Sequence, residues 1–289
     1  MIKQIVLRNA LQGALKRRSR VSRQLRLYLG QESSHESYAS AKISDSLLAC
    51  MWIAVDCGMN FVIVGEDQAR KMQLLSQLSW FVDRLNSTLI LEREKGIITS
   101  SDSKNNIRFV YGNLNQNSSK LLLEQSNLTM RFDRIALDRL SNLNAADLFS
   151  NAAYGVPFAA SMDDNYSTNM LIEMFSSKEY NVNPDYLSML DIHINASSNI
   201  ISEYKWLSRA EIENGNIIPN GDAVSIIKLE EDSLQKSKIL ARFAELNGIS
   251  IRLALQEIET RKKILYGLNG FDGYSFNMGI SSYLSKFMI

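Results

Sequence analysis

Residues 61–78, FVIVGEDQARKMQLLSQL, decide the fold class of this 289-residue chain. The segment opens with four apolar residues, Phe61–Val64, a pattern typical of a buried strand. Gly65 follows, and apolar residues then recur at the three- and four-residue spacing of an amphipathic helix. The apolar positions of this predicted helix are Met72, Leu74, Leu75, Leu78, Phe81 and Val82. The segment therefore predicts a buried strand, a glycine turn and a helix, the repeating unit of an α/β sheet.

The eight residues GEDQARKM, which begin at Gly65, have the spacing of a degenerate phosphate-binding loop. The Walker A motif, G-x-x-x-x-G-K-[ST], lies between a strand and a helix. Gly65 and Lys71 match its first glycine and its lysine, whereas Arg70 replaces the second glycine and Met72 replaces the Ser/Thr. Arginine resists a positive φ, a thioether is a poor Mg²⁺ ligand, and the two acids after Gly65 repel a phosphate. The segment predicts a phosphate-loop scaffold without its chemistry; the alternative is a chance match in an ordinary strand–helix unit.

Two later segments resemble nucleotide-site motifs of the type II/IV secretion ATPases, in particular those of the archaeal pilus and archaellum branch. The segment TLILERE resembles their Asp box, with Glu92 at the position of its Glu and Arg93 at that of its Asp. The segment RFDRIALDR resembles their Walker B stretch, with Asp138 at the position of its Gly and Arg139 at that of its Glu. The resemblance implies that the apolar strands are kept, while one acidic group of each motif is replaced by arginine.

A fourth segment, GVPFAASMD, resembles the His box of the same family, G-H-x-G-x-S-T-x-H. Gly155 matches, whereas Val156 and Asp163 stand in place of the two histidines. Residues 46–64 resemble the helix and strand that precede Walker A in this family, and the tail of the chain resembles its C-terminal stretch. The resemblance covers roughly residues 40–289 and departs at the chemical positions, which implies a pseudo-ATPase.

The resemblance implies a RecA-like P-loop NTPase core, with a mostly parallel sheet, helices on both faces and a helical C-terminal part. It implies no catalytic residue, no metal and no cofactor, because the phosphate cradle, the Mg²⁺ ligand and the catalytic Glu are replaced together. The implied function is that of a structural or regulatory subunit of an archaeal-type pilus, archaellum or secretion machine. The implied partners are an active secretion ATPase homologue or a membrane platform protein, with self-association as a further option. The implied location is the cytoplasm or the inner face of the membrane.

Two other functions stay open on the sequence. In the first, the chain is a divergent but active ATPase that binds ATP and Mg²⁺, keeps Lys71, and uses Glu92 and Asp138 for the metal and the attacking water. In the second, it is a scaffold or nucleic-acid-binding module that uses a basic N-terminal arm. The basic residues of this arm, which are the predicted partner-binding residues, are Lys16, Arg17, Arg18, Arg20, Arg23 and Arg26. The alternative for the arm is a solvated helix face. The net charge of +1 argues neither for nor against nucleic acid, and we expect no nucleic-acid partner.

The predicted organisation has three regions: a basic arm and loop over residues 1–45, a RecA-like core over 46–205, and a hairpin and helical subdomain over 206–289. Predicted core strands lie at residues 61–64, 88–91, 107–111, 134–137, 159–162 and 192–196. A hairpin is predicted from residue 198, with turns near residues 215 and 220. Two C-terminal helices follow, the first ended by Gly248 and the second begun at Ser250.

The composition, 45% hydrophobic and 22% charged, is typical of a globular protein. The longest apolar run is far shorter than the roughly 20 residues that a membrane helix needs. Cys50 and Cys57, on one predicted helix, would lie about 10 Å apart, too far for a disulfide. His35 and His193 lie far apart in the sequence without clustered cysteines or carboxylates, so we expect no metal site.

Overall fold

The computed structural model describes residues 45–82, 86–93, 109–113, 132–196, 200–203, 237–268 and 273–285. The predicted basic arm and most of the predicted hairpin lie outside these ranges, so both stay predictions. The boundary at residue 205 between the core and the C-terminal subdomain also lies outside them.

One sheet runs through the described residues. Its strands are β1 (Phe61–Val64), β2 (Thr88–Glu92), β3 (Phe109–Asn113), β4 (Arg134–Leu137), β5 (Phe158–Ser161), β6 (Ile192–Asn195) and β7 (Ile200–Glu203). Their order across the sheet is β3-β2-β4-β5-β1-β6-β7, and every neighbouring pair is parallel except β6 and β7. The predicted mostly parallel sheet is confirmed. A single strand, β5, separates β1 from β4, and all three strands are parallel. The two segments that resemble Walker A and Walker B therefore end at the same edge of the sheet.

The strand boundaries differ from the prediction in several places. β1 and β4 have the predicted bounds, whereas β3 begins two residues later than predicted and β5 one residue earlier. β2 ends one residue later and β6 one residue earlier than predicted. β7 pairs antiparallel with β6 and extends the core sheet, while the rest of the hairpin predicted from residue 198 lies outside the described residues. This pairing satisfies backbone groups along β6 that would otherwise lie at an open edge.

The described residues also form helices, in segments that have the hydrophobic periodicity of a helix. They are α1 (Asp45–Asp56), α2 (Gln68–Trp80), α3 (Ala145–Ala153), α4 (Thr168–Ser176), α5 (Pro184–Leu187), α6 (Lys238–Asn247), α7 (Ile251–Leu268) and α8 (Gly273–Leu284). Gly248 ends α6 with φ +60°, and the Ser250 hydroxyl accepts a hydrogen bond from Leu253 N at 3.4 Å, so both predicted caps are confirmed. Leu246, in the last turn of α6, is 61% exposed.

Helices cover both faces of the sheet, as predicted. Phe61 and Ile63 of β1 join a core with side chains of α1, α2, α6, α7 and α8. Val62 and Val64 point the other way, into a second core with side chains of α3, α4 and α5. Successive side chains of a strand alternate between faces, so four apolar residues in a row supply both layers.

Cys50 and Cys57 are both buried and are not joined in a disulfide, as predicted. The helix α1 ends at Asp56, so Cys57 lies one residue beyond it rather than on its face. Burial raises the pKa of Cys57 to about 12, which keeps the thiol protonated. His193 is buried on β6, and burial lowers its pKa to about 4, so its ring is neutral. Among the described helices, none has the length and apolar character that crossing a membrane requires.

Asp191, which precedes β6, makes the stability of the fold depend on pH. Its Oδ2 accepts hydrogen bonds from the backbone N and the side-chain Nδ2 of Asn60, at 2.8 Å and 3.2 Å. Burial nevertheless raises the pKa of Asp191 to about 6. The unfolded chain, with an Asp pKa of about 3.9, releases this proton at lower pH than the native state does. The contribution of Asp191 to stability is therefore complete below pH ~4 and declines as the pH rises towards about 6.

We expect the free energy of unfolding of the wild type to fall by about 1–3 kcal/mol, relative to that of Asp191→Asn, between these pH values. Urea unfolding of both proteins across this pH range measures the difference between their free energies of unfolding. The contributions of the other titrating groups are common to both proteins and cancel in this difference. A difference that stays constant with pH would contradict the prediction.

Candidate functional site

The turn between β1 and α2 is a capped helix start rather than an open phosphate loop. Gly65 has φ +131°, a conformation that favours glycine, and its N–H donates to Asp164 O at 3.3 Å. The helix α2 begins at Gln68, so Arg70 is already in its first turn, although the Walker A motif has its second glycine there. Asp67 caps the helix: its Oδ1 accepts from Arg70 N at 3.0 Å, and its carbonyl accepts from Lys71 N at 3.0 Å. A carboxylate of the chain itself thus lies where a phosphate would meet the helix.

Lys71 points inward, beneath the loop that follows β5. The residue is 1% exposed, and its Nζ donates a hydrogen bond of 2.6 Å to Met162 O. Burial lowers the pKa of Lys71, and the nearby Asp163 carboxylate opposes this shift. Met72, the next residue, is packed in the apolar core on the α1 side of the sheet. Lys71 and Met72, which would contact phosphate and Mg²⁺ in Walker A, are therefore buried in the interior of the protein.

Arg93 and Asp138 form an ion pair across the ends of the adjacent strands β2 and β4. Asp138 Oδ2 accepts hydrogen bonds from the backbone N and from Nε of Arg93, at 3.1 Å and 3.0 Å. Nη2 of Arg93 donates to Asp138 Oδ1 at 3.3 Å. The Asp138 carboxylate is fully buried, so the guanidinium neutralises a charge that could not remain buried alone.

A second pair links β4 to β5. Nε of Arg139 contacts Oδ2 of Asp163 at 2.8 Å, and Nη2 of Arg93 lies 4.0 Å from Asp163 Oδ1. The hydroxyl of Ser161, at the end of β5, donates to the carbonyl of Asp138. We call Arg93, Asp138, Arg139 and Asp163 the ion-pair cluster. It joins three adjacent strands at their carboxyl ends, where open α/β sheets bind their ligands.

The structure brings together only part of the predicted site. The ion-pair cluster and Lys71 lie at the carboxyl edge of the sheet, and Glu92 is the buried last residue of β2 beside them. Two further predicted positions, Gly155 and Val156, precede β5 and therefore lie at the opposite, amino edge of the sheet. There Gly155, with φ +90°, follows the end of α3, and the N–H of Val156 donates to Asn151 O at 3.0 Å.

Two further features of the carboxyl edge are not visible in the sequence motifs. The carbonyl of Met162 is the acceptor for Lys71, and backbone carbonyls carry no sequence signal. The hydroxyl of Ser161 joins the ends of β4 and β5. Within the described residues, no group of three or more His, Cys, Asp or Glu side chains is placed to hold a metal ion.

No protein-family model and no curated protein matches the chain. Among solved structures, the chain is similar to the VirB11 ATPase of the Brucella suis type IV secretion system, crystallised in complex with sulphate. The match has 18% sequence identity and a TM-score of 0.41, and it covers 57% of this chain and 54% of that one. This chain thus matches about half the length of that ATPase.

Proposed function

We propose that this protein is a catalytically inactive homologue of the secretion ATPases, acting as a structural or regulatory subunit of an archaeal-type pilus, archaellum or secretion machine. The family part of the proposal is supported by four segments that resemble the family's motifs in order. The inactivity is supported above all by one observation: the carboxylates that replace or neighbour the catalytic positions are bound to arginines of the chain.

Hydrolysis in a P-loop NTPase needs a phosphate cradle, a Mg²⁺ site and a group that orients water. The Asp67 cap closes the cradle, and Met72 in the core offers no hydroxyl to Mg²⁺. Arg93 covers Asp138 with a positive charge, which repels a divalent cation. Arg139, at the position of the Walker B Glu, is cationic and contacts Asp163 instead of water.

In this role the protein binds an active secretion ATPase homologue or a membrane platform protein at the cytoplasmic face of the membrane. The basic residues Lys16 to Arg26 would supply electrostatic attraction to an acidic partner or to anionic lipids. The active-ATPase alternative retains one favourable observation, the presence of Lys71. It also requires Arg93 to leave Asp138, which would strand a fully buried carboxylate.

We expect the purified protein to hydrolyse ATP no faster than buffer does, with or without Mg²⁺. The reason is that the helix start is capped by Asp67, Met72 is buried in the core, and Asp138 and Arg139 are engaged in ion pairs within the chain. A phosphate-release assay measures the rate, and calorimetry with ADP and ATP at millimolar concentration measures binding. The matched control is Lys71→Met, which keeps an unbranched side chain at this buried position. Turnover by the wild type that is lost in Lys71→Met would establish the active-ATPase alternative.

The subunit role needs a separate test, since inactivity alone does not demonstrate it. The protein is mixed with the secretion ATPase of the same organism, and co-elution and the ATPase rate of that partner are measured. A changed rate or a stable complex supports the role. Absence of both, with that ATPase and with the platform protein, would contradict it.

A further inference from the structure

We propose that Arg93 and Arg139 form a binding site for a doubly charged oxyanion of the phosphate class, and that Asp163 fills this site from within the chain. The site is distinct from the Gly65 turn, because its cationic groups come from the ends of β2 and β4. The inference does not depend on the proposed secretion role.

Two guanidinium groups approach the same carboxylate from different strands. Arg139 Nε contacts Asp163 Oδ2 at 2.8 Å, while Arg93 Nη2 lies 4.0 Å from Oδ1, so each oxygen faces its own arginine. Guanidinium groups match the geometry of both carboxylate and phosphate oxygens. An oxyanion in place of the Asp163 carboxylate would therefore contact Arg139 directly and lie near the positive charge of Arg93.

The two arginines differ in exposure and in the hydrogen bonds that hold them, which suits an exchangeable ligand. Arg93 is oriented by its hydrogen bonds to the buried Asp138, and its side chain is 28% exposed. The Arg139 side chain is 50% exposed, so it can adjust to a larger anion. One arginine is thus held in place and the other is adaptable, and Asp163 between them is 35% exposed and open to solvent from one side.

The local charge favours an anion once Asp163 is removed. Lys71 lies beneath the site and donates to the carbonyl of Met162, the residue before Asp163. Without the Asp163 carboxylate, Arg139 keeps no ion-pair partner among the described residues, since Asp138 pairs with Arg93, while Lys71 still lies in the field of Asp164 and Asp138. Asp163 thus acts as a built-in competitor: it holds the site closed to small anions while the loop after β5 stays in this conformation.

The test uses substitution of Asp163 to open the site, with inorganic phosphate as the probe. Thermal unfolding midpoints are measured in sodium phosphate and in sodium chloride of equal ionic strength, so that general screening cancels. We expect Asp163→Ser to show a saturable, phosphate-specific increase of about 3 °C when phosphate is well above its dissociation constant. The wild type should show no phosphate-specific increase.

The matched control is Asp164→Ser, which removes the same charge one residue away. This control should behave as the wild type, because Asp164 contacts Tyr166 and not the arginines. Adding Arg139→Gln to Asp163→Ser should abolish the increase. A second arm with ADP separates free phosphate from nucleotide phosphate: tighter binding of ADP than of phosphate would assign the site to a nucleotide.

Several outcomes would overturn the proposal. They are equal phosphate effects in Asp163→Ser and Asp164→Ser, an effect that persists without Arg139, and no effect in Asp163→Ser. Asp163→Asn, which keeps the side-chain volume, is measured in parallel. If neither variant of Asp163 folds, the proposal also fails, because Asp163 would then be a structural group and not an exchangeable occupant. ATP turnover by the wild type would refute the proposed function without bearing on these results.

Discussion

Replacement of Arg261 by alanine should lower the free energy of unfolding by about 3–5 kcal/mol, the cost of leaving buried charges without their partner. Arg261 is 2% exposed, and it contacts Asp56 Oδ2 through Nη1 at 2.6 Å and Glu257 Oε1 through Nε at 2.8 Å. Its guanidinium lies 4.5 Å from the ring centre of Trp52 and 5.4 Å from that of Phe243. Although burial opposes its charge, the two carboxylates raise the pKa of Arg261. The substitution therefore removes two ion pairs and two ring contacts at once.

Arg261 connects the three C-terminal helices to α1, which covers one face of the sheet. Asp56 and Trp52 belong to α1, Phe243 to α6, and Glu257 to α7. The hydroxyl of Tyr283 in α8 donates to both oxygens of Glu257 at 2.8 Å. Loss of Arg261 should consequently loosen all three C-terminal helices together.

Chemical denaturation followed by circular dichroism measures the effect. The matched control is Lys262→Ala, which breaks only the exposed pair with Glu259 and should cost less than about 1 kcal/mol. Arg261→Met restores much of the volume without the charge, so it separates packing from electrostatics. Similar stabilities for Arg261→Ala and Lys262→Ala would show that this network is dispensable.

The second large effect is expected at the amino edge of the sheet, where Asn60→Ala should cost about 2–4 kcal/mol. Asn60 is 5% exposed. Its Nδ2 donates to Met189 O at 2.7 Å and to Asp191 Oδ2 at 3.2 Å, and its Oδ1 accepts from Phe158 N at 2.9 Å. One side chain thus joins the beginnings of β1, β5 and β6. Its removal leaves buried polar groups on both neighbouring strands without this partner.

Urea unfolding at neutral pH measures this loss, with Asn165→Ala as the control. Asn165 accepts a single exposed hydrogen bond from Asn195, so its removal should change stability by less than about 1 kcal/mol. Asn60→Asp keeps the size but places a second carboxylate beside Asp191, and it should be at least as destabilising as alanine. If Asn60→Asp were as stable as the wild type, the hydrogen bonds of Nδ2 would not matter and the prediction would be wrong.

Much of the framework could be predicted from local patterns. The run of Phe61–Val64 predicts a strand buried on both faces, and both faces are covered. The periodicity after Gly65 predicts α2, and the Gly248 and Ser250 signals predict the junction of α6 and α7. Each of these features depends on neighbours within a few residues, so the sequence carries its signal directly.

The candidate site was predicted only as a set of positions. Arg93, Asp138, Arg139 and Asp163 were identified as departures from a nucleotide site, without a role of their own. The sign of the charges contained a usable signal: the Asp-box segment carries Arg93, the His-box segment carries Asp163, and the Walker B segment carries both Asp138 and Arg139, as complementary ion pairs require. Recognising it needs the knowledge that β2, β4 and β5 are adjacent. Gly155 and Val156 belong to the same motif as Asp163, yet a strand separates them from it, because β5 carries its two ends to opposite edges.

The sequence by itself determined the α/β class and the strand–turn–helix unit at residues 61–78, and it predicts a turn without the residues that phosphate chemistry requires. Only the tertiary structure decided which partners the charged groups at these positions contact. Arg93 meets Asp138 from 45 residues away, and Lys71 meets Met162 from 91 residues away. These contacts follow from strand order, which is set by how the whole sheet buries its apolar faces. A buried carboxylate or ammonium group must find a partner wherever that packing brings one within reach.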